Sequence, residues 1–137
     1  MGRIERKGLM WAHSLRALVD ADGNHFMDDN CESLVKWPSW EGEHIHLVDM
    51  NCYVLRRDIA FTMAPIFHRR VRDETSPDFT LCQLLLQHAP RFECSGAYSV
   101  NYTVGNSRLS TQKGFFETGN AKMKKRYPNS FPWVSAE

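Results

Sequence analysis

Residues 17–28 read ALVDADGNHFMD. A short apolar run over 17–19 meets a turn signal, and a second run follows over 25–28. Asp22-Gly23 or Gly23-Asn24 supplies the positive-φ geometry that tight hairpins require. The stretch therefore predicts a β-hairpin. Upstream, residues 4–18 read as a short helix: Ile4, Met10 or Trp11, Leu15 and Leu18 share an apolar face at helical spacing, although Gly8 weakens it. Downstream, SLVKW (33–37) and HIHLVD (44–49) read as two further strands, the first ended by Pro38, which has no N–H for a ladder. NCYVLRRDIAF reads as strand or helix. Pro65 suits the first position of a helix over 66–73, and DETSPD breaks it. FTLCQLLLQHA (79–89) predicts a second short helix, stopped by Pro90.

From residue 91 the regular pattern fades. Glycines and prolines punctuate the stretch, with Tyr98, Tyr102, Phe115, Phe116, Tyr127, Phe131 and Trp133 spread along it. Such a segment reads as an extended arm laid across another protein, since its aromatics argue against disorder. The expected class is α+β: an N-terminal helix, a small antiparallel β-sheet, short helices and a long extended C-terminal tail. The head covers 1–90 and the partner-binding tail 91–137.

A chain of 137 residues is one domain's worth, and 42% apolar with 24% charged residues is a folding composition. The net charge of +1 is unevenly spread. Residues 17–60 carry nine acids against Lys36, Arg56 and Arg57, while both ends are basic. That layout suits more than one partner surface. The four cysteines show no C-x-x-C pair, so reduced thiols are expected. No apolar run approaches the ~20 residues that a membrane helix needs.

Catalytic signatures are few. The chain has no G-x-S-x-G, no P-loop and no dinucleotide fingerprint. Asp20 and Asp22 open like a calcium loop, but the twelfth place holds Cys31 rather than Glu. His44 and His46 alternate on a predicted strand and so share a face, which is the start of a metal site for a small metal-dependent enzyme. Their alternative role is surface or interface packing, and no cofactor is expected. Arg69, Arg70 and Arg72 beside His68 form a basic face. Arginine forks onto carboxylate or phosphate, and the acidic middle of the chain favours a protein over nucleic acid.

In order and spacing, these stretches resemble the mimitin-like small accessory subunit family of mitochondrial complex I (NADH:ubiquinone oxidoreductase). The matching residues are Gly23-Asn24-His25-Phe26-Met27-Asp28, then Lys36-Trp37, then Pro65, Phe67, His68, Val71 and Thr75 before the Ser76-Pro77 turn. Met27 stands for a second aromatic, Phe67 for a Trp, and Arg70 and Arg72 for Trp and His. The match covers residues 15–78. The tail shares only Lys residues, Tyr127 and Trp133. The resemblance implies a non-catalytic subunit on the matrix arm, peripheral to the inner membrane, touching core and accessory subunits. A paralogue in that family acts as an assembly factor. On this reading Trp37 and Phe67 anchor the head. His68 packs inside it or faces a partner, and Arg69, Arg70 and Arg72 meet acidic surfaces. Tyr127 and Trp133 fill grooves on neighbours. An organellar ribosome component is the remaining alternative.

Overall fold

The computed structural model describes residues 2–68, 76–105, 107 and 111–134. In chain order the elements are α1 (Arg3–Lys7), β1 (Trp11–Val19), β2 (His25–Asp28), β3 (Tyr53–Leu55), α2 (Arg57–Met63), α3 (Pro77–His88), β4 (Phe92–Thr103) and α4 (Lys113–Arg126). The class is α+β, as expected.

The hairpin forms where the sequence places it. β1 and β2 pair antiparallel, Ala17 opposite Asp28 and Leu18 opposite Met27. The Asp20 carboxylate accepts the backbone N–H groups of Asp22 and Asn24 at 3.0 and 2.8 Å, and Gly23 takes the positive φ of 85°. These bonds to the charged form hold the Asp20 carboxyl below its usual range.

The predicted 4–18 helix is corrected. Helix α1 ends at Lys7 because Gly8 adopts a left-handed φ of 63° and its N–H closes back onto the Glu5 carbonyl. Beyond it the chain is extended, and its burial alternates at first. Trp11, His13 and Leu15 are buried, with Ala12 and Ser14 less so, and 15–19 are buried throughout. β1 is the central strand. β3 pairs with its first residues and β2 with its last, both antiparallel on one edge, while β4 runs parallel along it from Trp11 opposite Phe92 to Val19 opposite Thr103. The sheet is therefore mixed rather than antiparallel.

Residues 33–37 and 44–49 are not strands. Val35 sits at a φ of 44°, which breaks any extended run, and scattered bonds rather than a ladder tie the two segments together: Val35 N–H to Leu47 O (3.1 Å), Ser39 N–H to Ile45 O (2.7 Å), Asp49 N–H to the Ser33 hydroxyl (2.9 Å) and the His46 ring with the Val35 carbonyl. The helix expected over 66–73 begins as a 3₁₀ turn, Ala64–His68, and its remainder lies outside the described residues. α3 matches its prediction closely: the Ser76 hydroxyl caps it by accepting from the Phe79 N–H at 3.3 Å, with Pro77 next.

The extended tail is corrected as well. The described residues of 91–134 supply β4, which completes the sheet, and α4, which closes the second half of the core. Tyr98, Val100 and Tyr102 are half-buried at a period of two, while Ala97, Ser99 and Asn101 between them are exposed. On α4, Phe116, Gly119 and Met123 form the buried stripe. One core cluster gathers around Trp11, Val48, Leu81 and Leu85. The other joins Leu15, Leu18 and Leu34 to Phe116, Met123 and Trp133. Among the described residues no helix is long and apolar enough to cross a membrane.

Gly119 marks how closely α4 docks. A Cβ there meets the Trp40 ring at 2.6 Å and the Cys31 sulfur at 2.7 Å. Gly119→Ala is expected to cost about 1–3 kcal/mol through overpacking, against a helix gain of at most ~1 kcal/mol. Gly114→Ala on the same helix meets nothing within 4 Å and is expected to stabilise slightly. Urea midpoints of the two variants moving in the same direction would contradict this packing.

Candidate functional site

Three short segments with different origins meet beside the start of β4. The first is Lys36-Trp37, presented by the loop that the left-handed turn at Val35 redirects. The second is Pro90 with Phe92, Glu93 and Cys94, where α3 gives way to β4. The third is the C-terminal turn Pro132, Trp133 and Val134, closed by the Val134 N–H on the Phe131 carbonyl at 3.3 Å. Between them lies a groove of about 520 Å³.

Its walls are aromatic rings held in fixed orientations. Trp133 is the hub, only 2% exposed. Its ring centroid lies 4.9 Å from Phe131 (stacked), 5.3 Å from Tyr127 (edge-on) and 5.6 Å from Trp37 (tilted). Phe92 is backed by Trp11, stacked at 4.3 Å. Such contacts are worth about 0.5–1.5 kcal/mol each beyond area burial, so the walls are stiff.

A polar staple sits behind the rings. The Asn30 side-chain carbonyl accepts the Trp133 indole N–H at 2.8 Å and also the Tyr98 hydroxyl. The Asn30 backbone N–H donates to the Asn120 side chain at 2.9 Å, and the Asn120 amide donates to the Asp28 carbonyl at 2.8 Å. One asparagine thus ties β2's exit, β4, α4 and the C-terminal turn together.

The groove's charges are unequal. Glu93 is bridged by the Lys7 ammonium at 2.7 Å. Lys36 has no carboxylate partner among the described residues, and its ammonium lies 5.5 Å from the Trp37 ring. Trp37 itself is half-buried, and its indole N–H, unlike those of Trp11 and Trp133, makes no hydrogen bond among the described residues.

A second cluster gathers buried charges around Arg16. Arg16, 3% exposed, reaches Asp29 through Nε and Nη2 (2.9 and 2.7 Å), Glu32 through Nη2 (2.6 Å) and Asp49 through Nη1 (3.1 Å). Its guanidinium lies 4.2 Å from the centroid of the Tyr102 ring. Burial works against each charge. For Asp29 the cation and the N–H groups of Cys31 and Ser33 more than offset it, so its carboxyl stays below the usual range. For Glu32, burial and the neighbouring Asp29 win, and its carboxyl is pushed up. Perturbed groups of this kind mark active sites when they open onto a cleft. This cluster is closed over by packing and does not line the groove. It bolts β1 to the loops at 29–33 and 49–51.

Of the residues singled out from the sequence, Trp37, Tyr127 and Trp133 come together here. Trp133 is a buried ring in the protein's own core rather than an arm reaching outward. Phe67 and His68 end the 3₁₀ turn. Their side chains, and Arg69, Arg70 and Arg72 entirely, lie outside the described residues. His44 is exposed and His46 turns its ring to the Val35 carbonyl, so the strand alternation that paired them is absent. Among the described residues no three His, Cys, Asp or Glu side chains gather as a metal site. Burial pushes the Cys52 and Cys82 thiols up to about 11, which keeps them protonated. Sequence reasoning missed Phe92, Pro90, Asn30 and the Arg16 cluster. The signal for the last was an arginine inside an apolar run with acids following.

No protein-family model, no curated protein and no solved structure matches the chain.

Proposed function

We propose that the protein is a non-catalytic docking subunit whose groove receives a segment of a partner. The observation that carries this reading is Trp37: a large ring packed against Trp133, half-buried, with a donor that no described residue uses. Tryptophans presented this way are the commonest energetic anchors of protein interfaces. The resemblance over residues 15–78 supports a finer proposal, that the host is respiratory complex I. There the protein is an accessory subunit at the matrix side of the inner membrane, peripheral and without a cofactor of its own. Because β4 and α4 are folded onto the core, contact with that host runs through the groove rather than through an extended arm.

Fractionation of native organellar complexes tests both levels. The intact protein is expected in one large particle that carries NADH dehydrogenase activity. Trp37→Ala is expected to keep its fold, since the ring is only half-buried, and to fall out of that particle. Appearance only in smaller, partly built particles would make it an assembly factor. Co-migration with ribosomal RNA, or wild-type protein found only free, would overturn the complex I reading. Retention of Trp37→Ala in the particle would overturn the groove as the docking site.

A further inference from the structure

The groove's chemistry narrows what sort of segment it takes. It is lined by Trp37, Phe92 and Trp133 together with Pro90 and Pro132. Aromatic-lined grooves of this kind suit a chain that is already extended and has apolar rings of its own. The polyproline II helix is such a chain: three residues per turn, no internal hydrogen bonds, and carbonyl groups left for outside donors. The Trp37 indole N–H is such a donor. All four tryptophans of the chain are described. Trp11 donates to the Ala89 carbonyl, Trp133 donates to Asn30, and the Trp40 nitrogen is sealed in the interior. Among the described residues, the Trp37 N–H alone of the four is neither hydrogen-bonded nor sealed in the interior, and Trp37 is half-buried.

Charge adds a direction. Glu93 is already bridged by Lys7, so Lys36 is the groove's cation without a carboxylate partner among the described residues. A carboxylate next to the prolines completes it. Resting on the docking role above, we infer that the groove binds a proline-rich, polyproline II segment of a partner protein with an acidic residue beside the prolines. The Trp37 indole N–H donates to a proline-segment carbonyl, and Lys36 pairs with the acid.

The test uses the full chain, isotope-labelled, and a short synthetic oligoproline peptide carrying glutamates at one end. The Trp37 indole resonance is expected to shift on titration, with the Trp11 and Trp40 indoles unmoved. A Gly-Ser peptide with the same glutamates is expected to bind far more weakly. Trp37→Phe keeps a ring and loses the donor; affinity is expected to fall about tenfold. Lys36→Met, an exposed change that leaves the rings in place, is expected to erase the preference for the glutamates and the salt dependence. Three results would overturn the inference: no shift at Trp37, equal binding of the Gly-Ser peptide, or a Trp37 shift that follows protein concentration alone and so reports a second copy in the groove. Failure here is distinct from failure of docking. If oligoproline does not bind while Trp37→Ala still leaves the large particle, the docking role stands and its occupant is a different peptide.

Discussion

Arg16→Met is expected to lose about 3–5 kcal/mol of stability, which is enough to unfold many domains of this size. The methionine fills most of the volume, so the loss is electrostatic. Asp29 is fully buried, and once the cation is gone its carboxylate keeps only backbone N–H groups and the weak Cys31 thiol donor. The pH dependence separates this from a packing defect. In the wild type, the folded-state carboxyl of Asp29 lies below its unfolded value. Its contribution is therefore complete above the unfolded value, near 3.9, and is lost as pH falls through the lower folded one. Without Arg16, burial dominates and pushes that carboxyl up. The variant then gains stability as mild acid protonates Asp29. Urea or thermal unfolding from neutral to mildly acidic pH reads this directly. A variant whose stability falls with pH in parallel with the wild type would mean that Arg16 does not hold Asp29 ionised.

That arginine also shows what the sequence can and cannot reveal. The run from Trp11 to Val19 has a helical spacing at Trp11, Leu15 and Leu18 and an alternation only over Trp11, His13 and Leu15. Local pattern alone does not choose between them. Pairing chooses: β3 and β4 take the edges of Trp11–His13, and β2 and β4 those of Ala17–Val19. The hairpin was legible because its chemistry is local, with Asp20 and Gly23 closing the turn on neighbours a few residues away. The helix over 79–89 was legible from its apolar run and the Pro90 stop, while its cap at Ser76-Pro77 read only as a break. β4 was not legible, because its partner lies some eighty residues upstream and its signal is broken by bulges opposite His13–Arg16. α4 was hidden by its own glycines. Gly119 reads as a helix breaker, yet it is the contact that lets the helix approach Trp40.

The groove was half legible. Trp37, Tyr127 and Trp133 stand out as large residues in a charged, irregular context, and that prominence is independent of the fold. Their mutual contact is not, since it depends on Asn30 and on β4 bringing the two ends of the chain together. The sequence suggested a tail that anchors elsewhere. The physical reason it anchors at home is that Trp133 finds a stacked ring, an edge-on ring and a hydrogen-bond acceptor within its own chain.

Trp133→Ala is accordingly expected to cost about 3–5 kcal/mol, the range for deleting a buried aromatic. The truncation removes the stack on Phe131, the contacts with Tyr127 and Trp37, and one of the two donors on Asn30. Trp133→Phe dissects the loss. It keeps an apolar ring, and the Asn30 carbonyl keeps the Tyr98 hydroxyl, so the cost is expected to be about 1–2 kcal/mol from the smaller ring and the missing bond. Denaturant midpoints should therefore order as wild type, then Phe, then Ala, with wide spacing before the last. The groove should respond in step: Trp37 loses its backing in the Ala variant, and its indole resonance should move to the position of a freely solvated side chain. A cost below about 0.5 kcal/mol for Trp133→Ala is what an exposed arm shows. That result would mean that the C-terminal turn does not close the core and that the groove has only two of its three walls.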